Sequence, residues 1–192
     1  CILHYNENNK LLNDGDLLLI DAGCEILGYA SDITRTFPIN GKFSNAQKAI
    51  YEIVLDAQIQ AIASIMPGED VNKPHEIACE IIARGLIKLG IMNDISNLRE
   101  FYMHGTGHWL GLDVHDVGAK EIDNSFRKFE VGMVTTVEPG IYIRKDDKID
   151  PKYWNIGIRI EDDVLVTIDG NHVLSEAAIK NVDDIEHLMS QS

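Results

Sequence analysis

The sequence predicts an α+β fold, in which long helices and antiparallel strands occupy separate parts of the chain. Two central stretches have the apolar spacing of amphipathic helices, whereas apolar or β-branched stretches near both ends are typical of strands. Helices that are segregated from strands in this way indicate an α+β protein rather than a parallel βαβ array. The predicted order is a strand pair, two helices, a segment rich in glycine and histidine, and further strands.

The first strand pair is predicted from an apolar run at residues 17–20 and a β-branched stretch at residues 29–37. A hairpin loop at Ile26-Leu27 would place Asp21 directly opposite Asp32, with Cβ atoms about 4.5–5.5 Å apart. Two carboxylates at that distance repel each other unless a cation lies between them. The alternative is a pair of turn-flanking aspartates that point at solvent.

The two helices are marked by their ends. Ser44 is a suitable N-cap for a helix that Pro67 and Gly68 terminate. Pro74 is suited to the first turn of a second helix, for which Gly90 supplies the C-terminal cap.

The later strands are predicted at residues 133–137, 141–143 and 156–166, followed by a short C-terminal helix. Glu138 and Glu161 interrupt or follow apolar stretches, where an acid is costly unless it is paired or bound to a cation. A buried salt bridge with Arg159 would explain either one. Together with Asp21 and Asp32, however, they are four strand-associated acids, which favours a metal site.

Three histidines, His104, His108 and His115, lie within twelve residues of a glycine-rich segment. The glycines disfavour a helix, so the segment does not match the helical zinc motif H-E-x-x-H. Carboxylates combined with imidazole suit Mn²⁺, Co²⁺, Zn²⁺ or Fe²⁺. Four acids and one histidine exceed the needs of one tetrahedral ion, and they suit two ions that share carboxylates and a bridging hydroxide. The remaining histidines of the helices and tail, His75, His172 and His187, are interpreted as structural.

Composition excludes several classes of protein. The formal net charge of −14 over 192 residues argues against binding to nucleic acid or to an anionic membrane. The three cysteines form an odd set without a C-x-x-C pair, which argues against a disulfide framework or a zinc ribbon and predicts a cytoplasmic location. No apolar run approaches the length of a membrane span.

Six blocks of sequence together resemble the pita-bread metallopeptidases of the Xaa-Pro aminopeptidase (aminopeptidase P) family. They are ILHY at residues 2–5, LIDAG at 19–23, SDITRTF at 31–37, HGTGHWLGLDVHDVG at 104–118, VEPGIY at 137–142 and GIRIED at 157–162. The resemblance implies a pita-bread fold, a curved antiparallel sheet with covering helices. It also implies an enzyme that uses a metal-bridging hydroxide to remove the N-terminal residue from peptides with proline second.

The resemblance also implies the roles of the site residues. The metal ligands would be Asp21, Asp32, His108, Glu138 and Glu161, with Asp32 and Glu161 bridging two ions, usually Mn²⁺ in the family. The residues on the substrate side would be His4, His104 and His115, with Arg159 near the bridging glutamate and Glu138 also carrying a proton. The alternative for Arg159 is that it only balances the charge of the local acids. The alternative for Glu138 is that it is a metal ligand with no role in proton transfer.

Two other functions remain open at this point. Prolidase, which cleaves Xaa-Pro dipeptides, resembles the same blocks, and a non-catalytic binding module on the same fold is a third reading. Methionine aminopeptidase fits less well. In comparison with the family, residues 1–192 are expected to be a catalytic domain whose first half is incomplete. The expected missing parts are the N-terminal helices and strands and the separate N-terminal domain. The full-length form is expected to be a homo-oligomer.

Overall fold

The computed structural model describes residues 1–191 and has the α+β organisation that the sequence predicts. The helices are α1 (Asn45–Ala63), α2 (Lys73–Lys88) and α3 (Val182–Met189), with short 3₁₀ turns at Ile95–Glu100 and Pro151–Tyr153. The strands are β1 (Leu17–Ala22), β2 (Glu25–Ile26), β3 (Tyr29–Ala30), β4 (Ile33–Pro38), β5 (Leu110–Gly111), β6 (Val114–His115), β7 (Glu121–Ile122), β8 (Ser125–Phe126), β9 (Val134–Val137), β10 (Gly140–Ile143), β11 (Ile156–Arg159), β12 (Asp162–Thr167) and β13 (Gly170–Val173).

The helix ends follow the predicted signals. Ser44 caps α1 in a reciprocal capping box, in which its Oγ accepts from the Gln47 amide and the Gln47 side chain accepts from the Ser44 amide. Helix α2 ends at Lys88, and Gly90 follows with a φ of +70°. Gly85 of α2 lies against Ile53 of α1, where a Cβ would come within 2.7 Å of the isoleucine side chain. Glycine therefore permits the close packing of the two helices.

The register of the first strand pair differs from the predicted one. Asp21 of β1 faces Thr34 of β4, not Asp32. The reason is the hairpin loop, which consists of Leu27 and Gly28, with φ of +54° and +87°. Two-residue hairpin loops favour this pair of positive φ values. Because side chains alternate along a strand, the shift of two residues keeps both aspartates on one face of the pair.

The predicted strand at residues 156–166 is two strands, β11 and β12, that belong to different sheets. β11 pairs with β10, and β12 lies between β9 and β13. The strand is interrupted at Ile160 and Glu161, between β11 and β12. There the Glu161 amide donates to the Thr34 carbonyl instead of to a neighbouring strand of either sheet. Because of this interruption, Glu161 belongs to neither the β10–β11 ladder nor the β9–β12 ladder.

The apolar core lies between helices α1 and α2 and strands β9 to β12. Its most completely buried side chains include Ile50, Ile82, Ile141 and Ile158, all with no exposed surface. This core supports the strand ends that carry the candidate site. In residues 1–191, no helix combines the length and the apolar character that crossing a membrane requires.

Candidate metal centre

The five predicted metal ligands lie together at strand ends and strand breaks. Asp21 is the penultimate residue of strand β1 and Asp32 directly precedes β4, while His108 precedes β5. Glu138 joins β9 to β10, and Glu161 occupies the break between β11 and β12. Asp21 stays in the ladder of β1 and β4, opposite Thr34, and the other four ligands lie outside the ladders. All five side chains line one cavity.

Ligand atoms of these residues form overlapping groups whose members lie within 4.8 Å of one another. The groups within residues 1–191 are Asp21, Asp32 and Glu161; His108, Glu138 and Glu161; and Asp32, His108 and His115. Asp32, His108 and Glu161 each belong to two groups. His115, which the sequence places on the substrate side, is also close enough to act as a ligand.

His108 is held in the tautomer that a metal ligand requires. Its Nδ1 lies 2.9 Å from the carbonyl oxygen of Trp109, which can only accept, so Nδ1 carries the proton. The lone pair of Nε2 therefore faces the acids, 3.2 Å from Asp32 Oδ2 and 3.8 Å from Glu138 Oε1. A backbone carbonyl that fixes a histidine in this way is typical of metal ligands.

The acids of the cluster are crowded and only partly compensated. Burial, reinforced by the charges of Glu138 and Asp32, raises the pKa of Glu161 to about 9. Burial also raises the pKa of Glu138 and of Asp21. Arg159 makes its ion pair with Asp21, at 2.6 Å, and partly offsets the rise in the pKa of that carboxyl, whereas Asp32, Glu138 and Glu161 have no ion pair with a lysine or arginine of the described residues. This donor set of four carboxylates and one correctly oriented imidazole fits divalent cations.

The predicted substrate-side residues line the same cavity of about 80 Å³. Its walls are Leu3 and all of the predicted site residues: His4, Asp21, Asp32, His104, His108, His115, Glu138, Arg159 and Glu161. His4 and His115 are exposed, and the ring of His115 packs edge-on against the ring of His108 at a centroid distance of 4.3 Å. The structure thus brings together every residue that the sequence predicts for the site.

Tyr142 and Thr34 complete the site and were not singled out from the sequence. The Tyr142 hydroxyl accepts from Arg159 Nη1 at 3.0 Å and lies 2.9 Å from His104 Nε2. The Thr34 hydroxyl donates to Glu161 Oε2 at 2.5 Å. Both residues lie in the blocks that carry the resemblance, which is the sequence signal that could have found them. The pairing of Thr34 with Asp21 is visible only in the structure.

His104 is fixed by its surroundings in the neutral form. Burial lowers its pKa to about 4. Its Nδ1 donates to the carbonyl of Gly105 at 2.8 Å, so Nε2 accepts from the Tyr142 hydroxyl. The two ring nitrogens are therefore both occupied.

The histidines interpreted as structural lie outside the metal groups of residues 1–191. His75 of α2 contacts Thr106 Oγ1 through Nδ1 at 2.8 Å, and the same hydroxyl lies 2.5 Å from that of Tyr102. His75 thus anchors the glycine-rich segment to the helix layer.

Comparison with known proteins identifies the family. The model of metallopeptidase family M24 matches residues 1–168. The chain belongs to metallopeptidase family M24. A curated relative, Xaa-Pro aminopeptidase of Haemophilus influenzae, is 54% identical over 99% of this chain and 46% of its own length. The Escherichia coli Xaa-Pro aminopeptidase is 50% identical over 98% of this chain and 44% of its own length.

Solved structures agree with this assignment. Pseudomonas aeruginosa aminopeptidase PepP superposes with a TM-score of 0.96 at 52% identity, covering 100% of this chain and 45% of that one. Proline aminopeptidase P II from Yersinia pestis superposes with a TM-score of 0.94 at 51% identity, covering 100% and 46%. The pita-bread fold predicted from the resemblance is therefore confirmed. The M24 chain described here spans slightly less than half the length of these relatives.

Proposed function

We propose that this M24 chain carries the catalytic metal centre of an Xaa-Pro aminopeptidase, which removes the N-terminal residue from peptides with proline second. The observation that carries the proposal is the overlap of the ligand groups, which share Asp32, His108 and Glu161. Asp32 and Glu161 are the carboxylates among the three shared residues. Shared carboxylates suit a pair of ions rather than one. The names of the relatives support the choice of Xaa-Pro peptides as substrates.

The five ligands divide between two divalent cations, of which Mn²⁺ is our proposal and Co²⁺, Zn²⁺ or Fe²⁺ are the alternatives. Asp32 and Glu161 would bridge the ions, Asp21 would complete one ion, and His108 with Glu138 would complete the other. When bound, such a pair of cations activates water as the nucleophile and polarises the scissile carbonyl.

Glu138 is our candidate for the proton carrier. The bond before proline is a tertiary amide, so its leaving nitrogen has no proton and must receive one. Burial raises the pKa of Glu138, which favours proton uptake at its carboxylate. Thr136 Oγ1 donates to Oε1 at 3.3 Å, which leaves the other carboxylate oxygen to exchange the proton.

The histidines on the rim orient the substrate. His4 and His115 are exposed in the cavity wall and can donate to the substrate near the scissile carbonyl. His115 would also assist proton delivery to the proline nitrogen. His104 can donate to the substrate only if it gives up its hydrogen bond with the Gly105 carbonyl or with the Tyr142 hydroxyl. Arg159, paired with Asp21, holds that ligand in place and offsets its charge.

Residues 1–192 would then form the metal-binding part of the catalytic domain. A homo-oligomer is the proposed state of the full-length form, as the resemblance implies. A cytoplasmic location is consistent with the three free thiols of the described residues, Cys1, Cys24 and Cys79. Nucleic acid and membranes are not proposed as partners, because the chain is strongly acidic.

Peptide hydrolysis tests the proposal. The Mn²⁺-loaded chain is incubated with Gly-Pro-Xaa tripeptides, the dipeptide Gly-Pro and a Gly-Ala-Xaa control, and free glycine is measured. We expect release from the proline tripeptides alone, and loss of release in Asp32→Asn. Cleavage restricted to the dipeptide would assign prolidase activity instead. Bound metal without any cleavage would assign a binding module.

A further inference from the structure

A fully buried carboxylate, Asp162, lies next to the proposed bridging ligand Glu161. Its Oδ1 accepts from Arg35 Nη2 at 2.7 Å and from Ser175 Oγ at 2.6 Å. Its Oδ2 accepts from Gln58 Nε2 and from Lys180 Nζ, each at 2.6 Å. Two cations and two neutral donors therefore satisfy the acceptor positions of this carboxylate.

Arg35 connects Asp162 to the backbone of Glu161. All five of its N–H groups are used, as the planar guanidinium allows. The acceptors are the carbonyls of Thr34 (2.8 Å), Glu161 (2.6 Å), Ala178 (2.8 Å) and Ile179 (3.0 Å) and the Asp162 carboxylate. One side chain thus joins the metal-site break in the sheet to the segment that precedes helix α3.

Glu161 depends on these contacts because it lies outside the sheet ladders. Its amide donates to the Thr34 carbonyl at 3.1 Å, and its carbonyl accepts from Arg35. Its carboxylate accepts only from the Thr34 hydroxyl among the described residues. Arg35 and Lys180 are directed at Asp162, so neither takes the Glu161 carboxylate away from the cavity.

We propose that residues 175–180 position Glu161 for metal binding, with Ser175 and Lys180 acting through Asp162 and Arg35. This segment lies beyond the residues that the family model matches. Ser175 and Lys180 touch neither the cavity nor any ligand atom, so they are positioning residues. The inference rests on the proposed metal centre.

The test compares Lys180→Met with a matched control, Lys48→Met. Lys48 also joins α1 to the C-terminal part of the chain, through an exposed ion pair of 3.5 Å with Asp183, but it does not contact Asp162. Mn²⁺ affinity is measured by calorimetry, and the coupling of the two ions is followed by electron paramagnetic resonance. We expect Lys180→Met to stay folded and to bind Mn²⁺ about 10- to 100-fold more weakly, with an altered coupled signal.

Further variants separate positioning from general stability. Lys48→Met keeps the wild-type affinity and spectrum, and Lys180→Arg, which retains the charge and the donors, recovers most of the affinity. If Lys180→Met does not fold, Ser175→Ala takes its place; it removes the hydrogen bond that Oγ donates to Asp162 and the one that Oγ accepts from the Asp163 amide. A folded Lys180→Met or Ser175→Ala with wild-type affinity and spectrum overturns this inference alone. A wild-type chain that binds no Mn²⁺ overturns the proposed function together with it.

Discussion

Gly107, the residue before the ligand His108, is packed against the backbone of strand β9. A Cβ at this position would lie 2.0 Å from the carbonyl oxygen of Thr136 and 2.8 Å from its carbonyl carbon. Backbone hydrogen bonds join the two segments on both sides of Gly107: the Thr136 amide donates to the His108 carbonyl, and the Glu138 amide donates to the Thr106 carbonyl. An alanine therefore cannot be accommodated by a side-chain movement, and the two backbones must separate by about 1.4 Å to restore an ordinary contact.

This separation displaces His108 and Glu138 relative to the other ligands. Because a misplacement of about 1 Å can lower activity by about 100-fold, we expect Gly107→Ala to lose at least that much in kcat/KM. Overpacking should also lower the free energy of unfolding by about 1–3 kcal/mol.

Gly105→Ala is the matched control in the same segment. Its Cβ would meet nothing nearer than the Gly107 carbonyl oxygen at 3.9 Å. Both variants are assayed for Mn²⁺ affinity, peptide hydrolysis and thermal unfolding. Equal activity and Mn²⁺ affinity in the two variants would refute the reasoning that the close contact of Gly107 with β9 sets the ligand geometry.

Two further predictions concern protons and helix stability. The pKa of Glu161 is raised to about 9, so cation binding below that pH must release a proton, and the apparent Mn²⁺ affinity should rise with pH. The pKa of Glu161 is about 9 in the folded metal-free protein and 4.5 in the unfolded chain, so between these pH values the folded state binds the proton more tightly. The free energy of unfolding of the metal-free protein should therefore fall as the pH rises from 4.5 toward 9. Calorimetry in buffers of different ionisation enthalpy measures the proton release, and an Mn²⁺ affinity independent of pH would contradict it. Thermal unfolding of the metal-free protein measures the stability, and a melting temperature that does not fall between pH 4.5 and 9 would contradict the second statement. Separately, Ser44→Ala removes the cap of α1 and should lower the free energy of unfolding by about 1 kcal/mol while leaving the Mn²⁺ stoichiometry unchanged. A loss of bound metal in that variant would show that helix and site are coupled.

The sequence predicted the elements whose signals are local. The cap at Ser44, the end of α2 before Gly90 and the non-helical glycine-rich segment all depend on a few neighbouring residues. The four acids of the site were also recognisable, because acids in apolar strands are costly enough to need a reason. Their convergence in one cavity follows from the strand ends on which they lie. His4 and Arg159 were assigned to the site through the resemblance.

The parts that the sequence did not predict depend on contacts between distant residues. The register of β1 and β4 follows from a loop in which Leu27 adopts a positive φ, which leucine rarely does. The break at Glu161 depends on Thr34, which lies 127 positions earlier in the chain. The tautomer of His108 depends on the orientation of the Trp109 carbonyl, which no spacing of residue types reveals.

Metal content tests the central claim most directly. The wild-type chain and Asp32→Asn are incubated with Mn²⁺, dialysed, and analysed by mass spectrometry for ions per chain. Asp32 belongs to two ligand groups, and asparagine keeps its size but removes its charge. We expect two ions per wild-type chain and loss of most of the metal in the variant. No bound metal in the wild-type chain, or full retention in Asp32→Asn, would contradict the assignment of the five ligands.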